Sequence, residues 1–182
     1  RQQEYVEALI ATGKPVILIL FGGRAQIVSP IADKCAAIIQ AWYPGEEGGN
    51  AIADILYGNV SPSGKLCISY PAVPLHESVC YNSGSLGMDP RFAWPFGYGL
   101  SYSTFEYTDM NCPSVINSED ESLELSFKVK NTGKCKASEI SQLYICPADV
   151  NSPVKPIQLQ GFSRVNLDED AEQRISVRLW TE

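Results

Sequence analysis

The sequence contains a single histidine, His76, and two methionines among its 182 residues. One imidazole cannot build a histidine metal centre. No Gly-x-Ser-x-Gly elbow occurs either, so a Ser–His–Asp hydrolase has no starting point and His76 reads as a surface residue. The six cysteines (Cys35, Cys67, Cys80, Cys112, Cys135 and Cys146) are scattered, with no Cys-x-x-Cys pair. That spacing excludes the clustered ligands of a structural zinc, so no metal is expected. Six are also too few for a disulfide-stapled scaffold, and Cys35, Cys67 and Cys146, set in apolar stretches, read as buried free thiols.

Basic residues are scarce: 14 Lys and Arg stand against 21 Asp and Glu, a net charge of −7. A nucleic-acid partner, which needs clustered cations, is excluded. The short acidic runs Glu119-Asp120-Glu121 and Asp168-Glu169-Asp170 read as solvated turns. Long apolar runs are missing too. The longest, Val16–Phe21, has six residues, where a helical membrane span needs about twenty. The start, Arg1-Gln2-Gln3-Glu4, has no Met and none of the features of a signal peptide. It runs directly into a helical pattern, and the expectation is that further chain precedes it. What remains is a globular composition, 45% hydrophobic and 19% charged, able to form a core.

Over the first seventy residues, helix and strand patterns alternate. Tyr5, Val6, Leu9 and Ile10 share a helical face that stops at Gly13 and Pro15. Val16–Phe21 reads as a parallel strand covered on both faces. Ser29-Pro30 opens a short helix through Cys35, and Ala37–Trp42 is a second strand. Ala51, Ile52, Ile55 and Leu56 form a third helical face ending at Gly58, and Lys65–Tyr70 reads as a third strand. Repeated strand–helix–strand units imply a mostly parallel α/β sheet. Residues 71–95 read as a long surface excursion rich in turn formers.

From Tyr107 the period becomes two. Leu123, Leu125, Phe127 and Val129 alternate with Glu124, Ser126, Lys128 and Lys130 up to the turn Asn131-Thr132-Gly133. Strands follow at Glu139–Cys146, Ile157–Val165 and Arg174–Trp180, so the second half is an all-β sandwich. About four or five strands fall short of the roughly seven of an immunoglobulin-type sandwich, and the expectation is that this sandwich is incomplete. The sequence thus divides into residues 1–106 and 107–182.

Four candidates for chemistry stand out. Glu46 and Glu47, in Trp42-Tyr43-Pro44-Gly45-Glu46-Glu47-Gly48-Gly49, lie where a parallel strand ends, the usual place for a ligand in an open α/β sheet. The simpler reading is two acids at the positive end of a helix, with glycines for close packing. Their spacing matches no dinucleotide or phosphate loop. Asp54, one turn after Asn50, reads as the polar face of that helix. The fourth, Trp94–Tyr107, holds six aromatic residues in fourteen positions. Rings such as Trp94 and Tyr98 are able to stack on sugars, or they bury a domain seam. The seam is preferred because the composition changes there.

Three blocks then match something specific: Trp42–Asp54, Asn59-Val60-Ser61-Pro62-Ser63-Gly64-Lys65-Leu66, and Pro95-Phe96-Gly97-Tyr98-Gly99-Leu100-Ser101-Tyr102. In this order and spacing they resemble glycoside hydrolase family 3. Gln142-Leu143-Tyr144 and Val154–Phe162 resemble that family's fibronectin-III-like domain. The resemblance implies that residues 1–106 are the C-terminal part of an α/β sandwich domain and 107–182 a truncated fibronectin-III-like domain. It implies a retaining, exo-acting β-glycosidase, with β-glucosidase the leading activity, acting on β-glucosides or β-linked oligosaccharides without a cofactor.

In the family, a (β/α)₈ barrel supplies an aspartate nucleophile and a loop of the second domain commonly supplies the glutamate acid/base. Both are expected upstream of Arg1, so the resemblance carries no catalytic residue onto this chain. Glu46 and Glu47 match a family motif that is not the catalytic one. The implied partners are the glycoside substrate and the barrel in cis, with neither nucleic acid nor membrane. A departure is Leu75–Arg91, which is shorter than in many members and carries Cys80-Tyr81-Asn82-Ser83-Gly84. This leaves glucoside versus xyloside open. The compartment is open as well, with export slightly favoured because polysaccharide-degrading members are often exported. The alternative is a stand-alone carbohydrate-binding or structural module.

Overall fold

The computed structural model describes residues 1–74, 91–113, 122–146 and 157–180. His76, the Cys80–Gly84 stretch, the acidic run 119–121 and residues 154–156 lie outside the described residues. In chain order the elements are α1 (Gln2–Ile10), β1 (Ile17–Phe21), α2 (Ser29–Ala32), β2 (Ala37–Trp42), α3 (Gly48–Leu56), β3 (Tyr70–Pro71), β4 (Phe92–Trp94), β5 (Phe105–Asn111), β6 (Ser122–Asn131), β7 (Ala137–Ile145), β8 (Gln158–Leu167) and β9 (Glu172–Trp180). They fall into two compact units: residues 1–57 with 67–96, and residues 58–66 with 97–182.

In the first unit, β1 and β2 run parallel, Ile17 opposite Ala37 and Leu20 opposite Gln40, before a bulge places Phe21 against Trp42. The crossover between them contains α2, whose Pro30 lies in the first turn, where a missing N–H costs nothing. α1 ends as its sequence dictates: the N–H of Gly13 donates to Ile10 O, and Gly13 takes φ +75° before Pro15. α3 starts beneath Pro44. A Cβ on Gly48 would approach Pro44 Cγ to 2.5 Å, so glycine alone lets that turn pack.

Two expectations for this unit are corrected. Ile17 and Phe21, at the ends of β1, are exposed rather than covered, because β2 is the strand's one hydrogen-bonded neighbour among the described residues. Lys65–Tyr70 is not a third parallel strand. Leu66 N–H donates to Tyr98 O and Leu66 O accepts from Gly97 N–H, so this backbone is committed elsewhere. The strand that does form, β3, pairs antiparallel with β4, and the parallel sheet is reduced to β1–β2. β3 contains Tyr70, 2% exposed, whose hydroxyl donates to Gln40 Oε1 at 2.5 Å. Its ring meets Trp42 and Trp94 edge-on, at 6.4 and 5.9 Å between centroids.

In the second unit, antiparallel β5, β6 and β9 form one sheet and antiparallel β7 and β8 another. The period-two pattern is borne out: Leu125, Phe127 and Val129 of β6 are buried while their neighbours are partly exposed. A single core draws Phe127, Val129, Ile175 and Val177 from the first sheet and Val165 and Leu167 from the second. Each such side chain contributes about 1.5–3 kcal/mol on burial. Asn131, fully buried, ends β6 and joins its own turn to Ser103 and Leu167. Its Nδ2 donates to Cys135 O (2.9 Å) and Leu167 O (3.1 Å), and its Oδ1 accepts from Ser103 Oγ (2.5 Å) and Gly133 N–H (3.0 Å).

The cysteine expectation holds in part. Cys35, Cys67, Cys112, Cys135 and Cys146 are free thiols, but Cys67 and Cys146 are exposed and Cys35 is only half-buried. Cys146 sits just past the end of β7, and Cys67 where the chain leaves the second unit, so neither has a core to enter.

Candidate functional site

The loop leaving the carboxyl end of β2 carries the two candidate acids. Trp42 adopts φ +52°, rare for a bulky side chain, and Gly45 follows at φ +73°. The turn is held just beyond the end of β1, where Gly22 N–H donates to Trp42 O at 3.1 Å, and the Tyr43 ring covers Gly23. Glu46 and Glu47 are both exposed. Glu47 precedes α3 directly, and its Oε2 accepts from Asn50 Nδ2 at 2.6 Å. A carboxylate tied into the first turn of its own helix favours the structural reading for Glu47, because it complements the positive helix end. Asp54 is half-buried on α3.

The aromatic segment is shared between the two units. Trp94 stacks edge-on against Tyr70 in the first unit, and Phe96 N–H donates to Ser69 Oγ there. Gly97, at φ +80°, turns the chain away. In the second unit, Phe105 packs against the core and the Tyr107 ring lies tilted on Phe127 at 5.9 Å. Tyr98 and Tyr102 are the exposed tyrosines of the 94–102 stretch. The rings are thus divided between the two units, Trp94 and Phe96 in the first and Tyr98, Tyr102, Phe105 and Tyr107 in the second.

The most elaborate polar arrangement lies in the second unit and was not singled out in the sequence. Lys65 Nζ stands 3.4 Å from both carboxylate oxygens of Glu139 and 3.4 Å from Gly99 O. The Lys65 and Glu139 side chains are only 16% and 11% exposed. Tyr107 OH donates to Glu139 Oε1 at 3.0 Å and accepts from Ser141 Oγ at 3.3 Å. Burial, above all, pushes the Tyr107 hydroxyl up to about 12; the nearby Glu139 charge adds to this and the Ser141 bond opposes it. The phenol is therefore neutral at pH 7 and able to donate. A signal was present: Glu139 and Ser141 occupy the inward positions of β7, where the alternation calls for apolar residues. The partner Lys65 lies 74 positions earlier, beyond any local pattern.

Among the described residues, no group of three His, Cys, Asp or Glu side chains is placed to hold a metal ion, and no helix is long and apolar enough to cross a membrane.

Comparison with known proteins places this arrangement in context. The family model for the glycosyl hydrolase family 3 C-terminal domain matches residues 1–102. A putative β-xylosidase of Formosa agariphila is 37% identical over 100% of this chain and 25% of its own length. A periplasmic β-glucosidase of Salmonella typhimurium is 36% identical over 96% of this chain and 25% of its own length. The crystal structure of a β-glucosidase from Erythrobacter marinus superposes with a TM-score of 0.84 at 33% identity, covering 100% of this chain and 25% of that one. The chain thus spans about a quarter of the length of these relatives.

Proposed function

The chain belongs to glycosyl hydrolase family 3, and from that premise we propose that it works as the C-terminal part of a retaining, exo-acting β-glycosidase. The observation that carries this reading is the family match over residues 1–102, continued by relatives named β-xylosidase and β-glucosidase along the whole chain. The leading activity is hydrolysis of β-glucosides or β-linked oligosaccharides. Retention requires two carboxyl groups about 5–5.5 Å apart, one attacking the anomeric carbon and one protonating the leaving oxygen. We assign both to polypeptide preceding Arg1, a barrel aspartate and a glutamate on a second-domain loop. No residue of this chain is placed in that pair.

What this chain supplies is framework. Residues 1–106 are read as the C-terminal part of the α/β sandwich domain and residues 107–182 as the beginning of a fibronectin-III-like domain. The two facing sheets and their shared core support the latter. Residues 58–66 and 97–106 are the part of the first region that folds with the strands of the second. The test is direct. The full-length polypeptide, assayed on aryl β-glucoside and aryl β-xyloside, is expected to release the aryl alcohol with retention at the anomeric carbon. Absence of turnover on both, or inversion, would refute the reading.

A further inference from the structure

Lys65 belongs to a loop, Gly58–Leu66, that follows α3 in sequence yet folds with the strand unit. The loop is stitched to the segment beginning at Gly97. Ser61 Oγ pairs with Ser101 Oγ at 2.9 Å and accepts from Tyr102 N–H at 3.0 Å. Leu66 exchanges backbone bonds with Tyr98 and Gly97, at 2.8 and 2.7 Å. Gln142 of β7 donates to Gly97 O at 2.9 Å. Side chains are excluded where these strips meet: a Cβ on Gly99 would run into Gly64 O, and one on Gly97 into Gln142 Oε1 at 2.5 Å. The only charges buried in this seam among the described ion pairs are those of Lys65 and Glu139.

We propose that the buried ion pair of Lys65 with Glu139 latches the Gly58–Leu66 loop and the Gly97–Thr104 segment onto β7, fixing the register in which they fold with the strand unit. An ion pair suits this role better than a pair of apolar groups. Its net stabilisation is modest, because desolvation offsets attraction, but a slipped register strands two buried charges and is strongly disfavoured. Glu139 is held ready by Tyr107, and Ser141 holds Tyr107 in turn. The chain passes between the two units at residues 57/58, 66/67 and 96/97, so the latch closes beside two of the three crossings. This inference goes beyond the glycosidase reading and does not depend on it.

Hydrogen exchange on the full-length polypeptide tests it, comparing peptides over 58–66 and 97–104 with peptides over β6 and β9. In Lys65→Met, exchange in the first pair is expected to accelerate about tenfold or more, with β6 and β9 changed less than roughly twofold. Lys65→Arg, which keeps the charge, should retain most of the protection. Adding Glu139→Gln to Lys65→Met should restore part of it, because the lone buried carboxylate is gone. Equal loss of protection in all strands, strict additivity of the two changes, or loss in Lys65→Arg as complete as in Lys65→Met would each overturn the proposal. Should Lys65→Met fail to fold, Tyr107→Phe, which removes one bond to Glu139, must still loosen 58–66 selectively, and no effect there also overturns it. A full-length protein without glycosidase activity would sink the functional reading and leave this result unaffected.

Discussion

Replacing Asn131 is the perturbation for which the structure yields the clearest magnitude. The side chain is fully buried and its amide uses both hydrogens and both acceptor directions, toward Cys135 O, Leu167 O, Ser103 Oγ and Gly133 N–H. Asn131→Ala strips all four partners at once in a place with little water. At a net of about 1 kcal/mol per bond the loss is roughly 4 kcal/mol. For a unit of this size, that corresponds to a fall of about 15–30 °C in Tm. Ser103→Ala removes one of the four and should cost about 1–1.5 kcal/mol. Asn131→Asp is the discriminating variant. It keeps shape and both accepted bonds, but turns an acceptor toward two carbonyl oxygens and buries a charge. Denaturant unfolding followed by far-UV circular dichroism should rank Asn131→Asp as costly as Asn131→Ala or worse. An Asn131→Asp variant within about 1 kcal/mol of the parent would refute the hydrogen-bond reasoning, since steric fit alone would then explain the burial.

Gly97→Ala combines a left-handed φ of +80° with a Cβ aimed at Gln142, and is expected to lower stability by about 2 kcal/mol or more in the same unfolding assay. Tyr70 and Tyr107 are both pushed up to about 12, chiefly by burial. Because their folded-state values lie above the unfolded value near 10, the protonated phenols stabilise fully below pH 10, and that contribution is lost as the pH rises from 10 through 12. Ultraviolet titration should show these two ionising near pH 12, with stability falling over that window. Glu46→Gln and Glu47→Gln in the full-length enzyme should leave kcat within about twofold, since removing a catalytic carboxylate costs orders of magnitude. A thousandfold loss in either would place that residue in the machinery.

Much of the fold was legible because it follows from local rules. β2 spans Ala37–Trp42 as its apolar run indicates, and the period-two stretch around Leu125, Phe127 and Val129 became β6 with those residues inside. Lys65–Tyr70 defeated the same rules. Its apolar residues look like a strand, but the hydrogen-bond partners of Leu66 lie more than thirty positions later, at Gly97 and Tyr98, and redirect the backbone. The aromatic segment was visible as a feature and opaque in its role, since the division of its rings depends on one glycine turn at Gly97. For Glu46 and Glu47 the helix-start reading was available from the glycines alone, and the bond from Asn50 to Glu47 supports it. The Lys65–Glu139 pair was hidden by sequence distance, although two polar residues at inward positions of β7 marked where a partner was needed.

We propose that this chain supplies framework to a glycosidase whose catalytic carboxylates lie elsewhere in the polypeptide. The most direct measurement compares turnover of an aryl β-glucoside by the full-length protein and by residues 1–182 alone, at equal molar concentration. Hydrolysis is expected from the full-length protein, and none above the uncatalysed rate from the 182-residue chain. Turnover by the chain alone, abolished by Glu46→Gln or Glu47→Gln, would contradict the proposal.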